Sequence, residues 1–178
     1  RRETGDGFAL YVDANQNYNV ADAISAAEWL SDFNVAWLEE PVLADCPWEL
    51  EKVAAESSVP LAAGENVYFS WGFQDLCNRK AAAYLQPDIG RCGGVTEWIK
   101  IAHLADANNL RLTSHLLHEV SACLISAFTS GFAVEFMNLF QNNPFTRDFS
   151  VTDGHITLPN MAGHGVEFSQ EARKNYIV

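Results

Sequence analysis

The chain has 178 residues, of which 48% are apolar, 19% charged and 12% aromatic. That composition suits one domain with a sizeable core and excludes a disordered chain, a collagen and a coiled coil. Lys and Arg number 11 against 23 Asp and Glu, a formal net charge of −12, which argues against nucleic acid and anionic membrane as partners, because both demand positive surface.

No apolar run approaches the roughly 20 residues that a membrane-spanning helix needs. No hydrophobic stretch follows Arg1-Arg2, so no signal peptide is expected. The chain opens without an initiator Met and is read as a processed product or a piece of something longer. Cys46, Cys77, Cys92 and Cys123 show no C-x-x-C spacing. A reduced, cytoplasmic protein with small buried thiols is expected.

Phe8 to Val12 reads as a short buried strand ending at Asp13. Ala23, Ile24, Ala27, Trp29 and Leu30 then recur at helical spacing through Phe33. Val35 to Leu38 is the next strand, ending at Glu39, Glu40 and Pro41, and Trp48 to Ala55 is helical. Leu61 to Ala63 is a strand ending at Gly64-Glu65-Asn66, followed by a helix over Phe73 to Lys80. Ala83 to Gln86 is a strand ending at Pro87-Asp88, and a helix runs from Val95 to about Asn108. Leu110 to Thr113 is a strand ending at Ser114-His115, then Glu119 to Thr129 is helical, and Phe132 to Val134 leads to Glu135. In the tail, Asp153-Gly154 separates two alternating runs, Phe149 to Thr152 and His155 to Leu158, which predicts a hairpin.

Strands alternating with helices imply right-handed βαβ units and a parallel sheet, either doubly wound or a barrel. No Gly-x-Gly-x-x-Gly turn follows a strand, so the dinucleotide-binding form has no support, and no P-loop is present. Asp13, Glu39, Glu65, Asp88, His115 and Glu135 are separated by 26, 26, 23, 27 and 20 residues, each about one βα unit. All therefore belong to the carboxyl edge of one sheet, where barrel active sites lie. A single acid after a strand is most simply a helix cap or a solvated charge. Several at matched strand ends would repel one another without a cation among them. Asp13, Glu39 and Glu65 offer three hard oxygen ligands suited to magnesium.

Asp13-Ala14-Asn15-Gln16, Trp37-Leu38-Glu39-Glu40-Pro41, Gly64-Glu65-Asn66, Gln86-Pro87-Asp88 with Gly93-Gly94-Val95-Thr96, and Ser114-His115-Leu116 with Glu119 together resemble the enolase superfamily. The branch most similar is the mandelate racemase group, which includes many acid-sugar dehydratases. The resemblance implies an α/β fold, a TIM-type (β/α)7β barrel of which this chain offers about the last six βα units, with a C-terminal hairpin tail. It implies Asp13, Glu39 and Glu65 as Mg2+ ligands, His115 as general base, Asp88 as its orienting partner and Glu135 as the acid that hydrogen-bonds the substrate carboxylate. Asn15 and Asn66 are implied as further polar contacts to substrate. The implied partner is a small-molecule carboxylate, a sugar acid, and the implied full-length form is a homo-oligomer.

Several look-alike patterns have simpler readings. His115-Leu-Leu-His118-Glu119 matches no zinc motif, and His118 is expected to open a helix. Gly90 to Gly94 most simply serves a turn, His103 and the five tryptophans are expected to pack, and Arg91 suits a substrate anion or the surface equally.

Family members carry a capping domain before an eight-stranded barrel. The first two strands, with the lysine motif of the second, have no counterpart here, so the chain is read as the C-terminal portion of a longer enzyme. Residues 1–145 are expected to form the partial barrel with the metal and catalytic residues, and 146–178 a tail packed on the barrel or on the capping domain. The expected reaction is magnesium-dependent abstraction of the proton α to a carboxylate, with dehydration of a sugar acid by a lyase. The alternatives are a racemase or epimerase of a 2-hydroxy acid, and a catalytically inactive truncated fragment.

Overall fold

The computed structural model describes residues 1–140, 142–158 and 160–176. The expected tail over 146–178 includes residues 159, 177 and 178, which lie outside the described residues.

The elements run β1 (Tyr11–Asp13), α1 (Val20–Ser31), β2 (Trp37–Glu39), α2 (Pro47–Glu56), β3 (Leu61–Ala63), α3 (Phe69–Arg79) and β4 (Tyr84–Leu85). They continue with α4 (Val95–Asn108), β5 (Arg111–Ser114), α5 (His118–Ile125), β6 (Gly131–Val134), β7 (Val151–Thr152), β8 (His155–Ile156) and α6 (Gln170–Tyr176). Strands β1 to β6 pair in sequence order in one sheet, every neighbouring pair parallel. That order requires each helix to cross over one face of the sheet.

The helix ends follow local rules. The Asn19 side chain accepts from the Asp22 amide at 3.0 Å and caps α1. Pro47 starts α2, where its missing N–H costs nothing. Asn109, at φ 54°, closes α4 in the left-handed region that Asn tolerates. Leu38, Val53, Phe73, Leu85, Trp98, Ile101 and Leu112 join sheet and helices in one buried core.

The inner face of the sheet is aromatic. Trp37 on β2 and Tyr84 on β4 have ring centroids 4.9 Å apart, and Tyr84 and Phe132 on β6 stand 5.5 Å apart. Strands two apart in a flat sheet lie about 9.5 Å from each other, so large side chains reach across the small Ala62 of β3 on a concave surface. Filling an interior layer from alternate strands is how a (β/α) barrel packs. The result is a curled six-stranded parallel half-barrel with β1 and β6 as its borders.

Tail strands β7 and β8 form an antiparallel hairpin whose turn residues Asp153 and Gly154 both have positive φ, at 50° and 75°. Phe149 is buried, its ring 6.4 Å from that of His118 on α5.

Several details differ from the sequence expectations: α3 begins four residues earlier, at Phe69, α5 stops at Ile125 and not at Thr129, and Cys46 and Cys123 are only half-buried while Cys77 and Cys92 are buried. The first strand starts at Tyr11 and not at Phe8, which is 59% exposed. Helix α6 was not expected: its seven residues bury only Ala172, too little apolar pattern to read. The packing expectation holds for Trp37 and Trp98 but is corrected for Trp29, Trp48 and Trp71, which are 62%, 49% and 67% exposed.

Candidate active site

Each strand delivers an ionisable residue, at its end or just beyond it, to the same edge of the sheet. Asp13 and Glu39 are register partners at the ends of β1 and β2. Glu65 follows β3 by two residues. Asp88 and His115 form a parallel bridge just beyond β4 and β5, carrying the ladder into the site. Glu135 follows β6 directly. Backbone strain gathers here as well: Asn15, Gln16, Glu40, Leu116 and Leu117 all have positive φ, between 33° and 62°. Such strain persists only where surrounding structure enforces it, and it is common at functional sites.

His115 is held from both sides. Its Nδ1 lies 2.7 Å from Asp88 Oδ2, and its Nε2 lies 3.4 Å from Glu65 Oε2. Asp88 Oδ1 accepts from the amides of Gly90 at 2.7 Å and Arg91 at 2.9 Å. Burial pushes the Asp88 carboxyl up, but the bonds from His115 and the two amides outweigh it and leave it below the usual range. Burial pulls His115 down, yet the bond to Asp88 and the charges of Glu65 and Glu135 raise it above its ordinary value. Both directions describe a proton shared into an ion pair. Glu135 Oε2 accepts from the Leu116 amide at 2.7 Å, and the Glu135 amide donates to Ser114 Oγ at 3.2 Å.

Asp13 accepts from its own loop, from the Asn15 amide at 2.7 Å and from Asn15 Nδ2 at 3.4 Å. Glu39 Oε2 accepts from the Trp37 indole at 3.0 Å. Burial raises the Glu39 carboxyl to about 7; the Gln86 amide and the Trp37 indole hold it down, while Asp13 and Glu135 push it further up. Arg91 Nη1 donates to Glu65 Oε1 at 3.2 Å, to the Glu65 carbonyl at 3.2 Å and to Asn66 Oδ1 at 2.9 Å. Asn66 Nδ2 donates to Glu40 Oε2 at 2.9 Å and to Glu65 Oε1 at 3.2 Å. Every polar atom of the Asn66 amide is thus engaged by protein. Asn15 is exposed.

Among the described residues, no three His, Cys, Asp or Glu side chains already stand as a metal-holding group. Indole, amide and guanidinium donors occupy the carboxylates instead. The donor set nonetheless fits a hard divalent cation. Asp13, Glu39 and Glu65 are all oxygen ligands from adjacent strand ends, and the charges of Asp13 and Glu135 add to the burial that raises Glu39. Two buried oxygens, Glu40 Oε1 and Gln86 Oε1, have no hydrogen-bond partner among the described residues.

Sequence reasoning missed three contributors. Glu40 was ambiguous beside Glu39, yet it is only 3% exposed. Gln86, next to the Pro87-Asp88 pair, touches Glu39. Arg91 turns inward onto Glu65. His118, as expected, opens α5; it is buried against Phe136, ring centroids 4.5 Å apart. A cavity of about 610 Å³ lies at the opposite edge of the sheet, by Pro60, Ala82 and Leu110 at the strand starts. Its only ionisable linings are Lys80 and Cys77, so it has no acid–base pair for chemistry.

The family model described as "Enolase C-terminal domain-like" matches residues 1–172. A 3,6-anhydro-alpha-L-galactonate cycloisomerase from Streptomyces coelicolor is 33% identical over 93% of this chain and 46% of its own length. An L-talarate/galactarate dehydratase from Salmonella typhimurium is 30% identical over 98% of this chain and 44% of its own. The crystal structure of an L-talarate dehydratase from Polaromonas, complexed with Mg and L-glucarate, superposes with a TM-score of 0.91 at 31% identity, over 98% of this chain and 48% of that one. A Bradyrhizobium enolase complexed with magnesium and mandelic acid gives a TM-score of 0.90 at 31% identity, over 97% and 47%. The chain spans about half the length of the curated relatives it matches.

Proposed function

The chain belongs to the enolase C-terminal domain-like family, and we propose that it is the catalytic portion of a magnesium-dependent lyase that dehydrates a sugar acid to a 2-keto-3-deoxy acid. The observation that carries this reading is the aim of His115. Nδ1 lies 2.7 Å from Asp88 Oδ2, which leaves Nε2 facing the carboxylate edge, where the unprotonated ring would present its lone pair. Dehydratase and cycloisomerase relatives support the reaction class, and the Mg-bound neighbours support the metal.

Asp13, Glu39 and Glu65 would hold the ion. Bound there, a divalent cation supplies electrostatic stabilisation for the charge that develops on the substrate carboxylate. His115 takes the α proton at Nε2 and returns it to the departing β-hydroxyl, which leaves as water, and the resulting enol tautomerises to the keto acid. Asp88 keeps the imidazole in the productive tautomer and balances its charge after proton uptake. Glu135, tethered through one oxygen, is left with the other for the substrate carboxylate. Asn15, exposed at the rim, is a contact for the substrate.

We further propose that residues 1–145 carry this chemistry and 146–178 form a packing tail, and that the full-length protein is a cytoplasmic homo-oligomer. No described helix is long and apolar enough to cross a membrane.

The test is incubation of the full-length protein with magnesium and a panel of sugar acids in heavy water. A 2-keto-3-deoxy product is expected. An active substrate recovered only epimerised at its α carbon would replace the dehydratase reading with a racemase.

A further inference from the structure

We infer that Glu40 is a positioning residue: its buried carboxylate braces the loops after β1 and β3 against the end of β2, and so sets the spacing of the three carboxylates proposed as metal ligands. The inference rests on the metal reading above.

Glu40 Oε2 accepts from Gln16 Nε2 and from Asn66 Nδ2, each at 2.9 Å. Gln16 lies three residues after Asp13, and Asn66 directly follows Glu65. One oxygen therefore ties both flanking ligand loops to the residue beside the middle ligand. The tie continues at each end. Gln16 Oε1 accepts from the Ala44 amide at 2.9 Å, and the Gln16 amide donates to the Glu40 carbonyl at 2.7 Å. Asn66 Oδ1 accepts from Arg91, which also holds Glu65. Because Asn66 meets two carboxylates and one guanidinium, only one orientation of its amide satisfies all three.

The backbone agrees. Glu40 has φ 33°, a left-handed conformation that a side-chain-bearing residue rarely adopts. That turn sends Glu40 into the protein, 3% exposed, while its neighbour Glu39 stays partly open to the site. Two adjacent acids of the same type thus take different tasks: Glu39 is free to meet a cation, and Glu40 is enclosed among amides. Partners of this kind commonly change metal affinity by about 10- to 100-fold without touching the ion.

The test uses full-length protein and Mn2+ alone as the probe, read by calorimetry and by electron paramagnetic resonance. Glu40→Ala should weaken Mn2+ binding at least about 10-fold. Glu40→Gln retains one carbonyl oxygen for the same two amides and should bind within about threefold of wild type, with the wild-type resonance spectrum. Should Glu40→Ala fail to fold, Asn66→Ala carries the test: it should show a similar loss of affinity with an unchanged metal-free melting temperature. Adding Asn66→Ala to Glu40→Ala should cost less than the sum of the two single losses, because both cut the Asn66–Glu40 link. If wild type binds Mn2+ and Asn66→Ala binds it equally well, the brace is overturned and the metal reading stands. If Glu40→Gln loses as much as Glu40→Ala, charge and not bracing is what matters, which also overturns it. A wild type that binds no Mn2+ overturns both.

Discussion

His115 Nδ1 stands 2.7 Å from Asp88 Oδ2, and the two residues bridge the extensions of adjacent parallel strands. The sheet itself therefore aims the imidazole. His115→Asn keeps approximate shape but cannot take the α proton, and turnover should fall at least about 10²-fold while magnesium affinity holds. Turnover within tenfold of wild type would remove His115 as the base.

The same pair sets a pH dependence. A base must be unprotonated to act, so activity should rise with pH through the raised His115 value. Asp88→Asn takes away the bond that raises it. The rising limb of the pH–rate profile should then move to lower pH as the maximal rate drops. A limb that stays where it was would show that Asp88 does not tune the ring.

Glu39 provides a separate test of the metal. Burial lifts its carboxyl to about 7, but a ligand carboxylate must be ionised. Magnesium binding should release protons, more per ion at pH 6 than at pH 8, and affinity should weaken as pH falls. Calorimetry in buffers of different ionisation enthalpy counts those protons. Zero release at pH 6 would exclude Glu39 as a ligand.

Away from the site, Glu97 is lowered to about 2, first by its bond from Lys100 and then by bonds from Ser70 at the start of α3. A depressed carboxylate stabilises the fold above its unfolded value near 4.5 and loses that contribution as pH falls through about 2. Glu97→Gln should therefore be less stable than wild type at pH 6, with the deficit shrinking toward pH 2. Denaturant melts across that range decide it; a constant deficit would mean that the ionised form contributes nothing.

Core and surface tryptophans should separate cleanly. Trp98 is fully buried, and Trp98→Ala should cost about 3–5 kcal/mol in denaturant unfolding. Trp29 is 62% exposed, and Trp29→Ala should stay within about 0.5 kcal/mol. Equal costs would contradict this difference in packing.

The alternating elements and the strand-end acids were legible because both follow from spacing: one βα unit per step, one ionisable residue per strand end. Strand β3 was read to the residue at Leu61–Ala63, bounded by Pro60 and Gly64. What spacing could not reveal is which way neighbouring acids turn. Glu39 and Glu40 look equivalent in sequence, and only the positive φ of Glu40 separates them. Tryptophan exposure was illegible for a related reason. Trp29 and Trp98 both sit in helices with apolar periodicity, yet Trp29 lies toward solvent beside Phe33, ring centroids 4.9 Å apart. Helix α6 has too few apolar positions to reveal itself.

Gly64 has φ +144°, and a Cβ there would come within 2.8 Å of both the Gln86 amide nitrogen and the Phe73 ring. Any side chain would wedge β3 away from β4, which leads to Asp88. The distance between Glu65 and His115 thus hinges on a hydrogen atom at position 64. The loops beyond the strands can change length and side chains without touching this contact; position 64 has room for nothing but hydrogen.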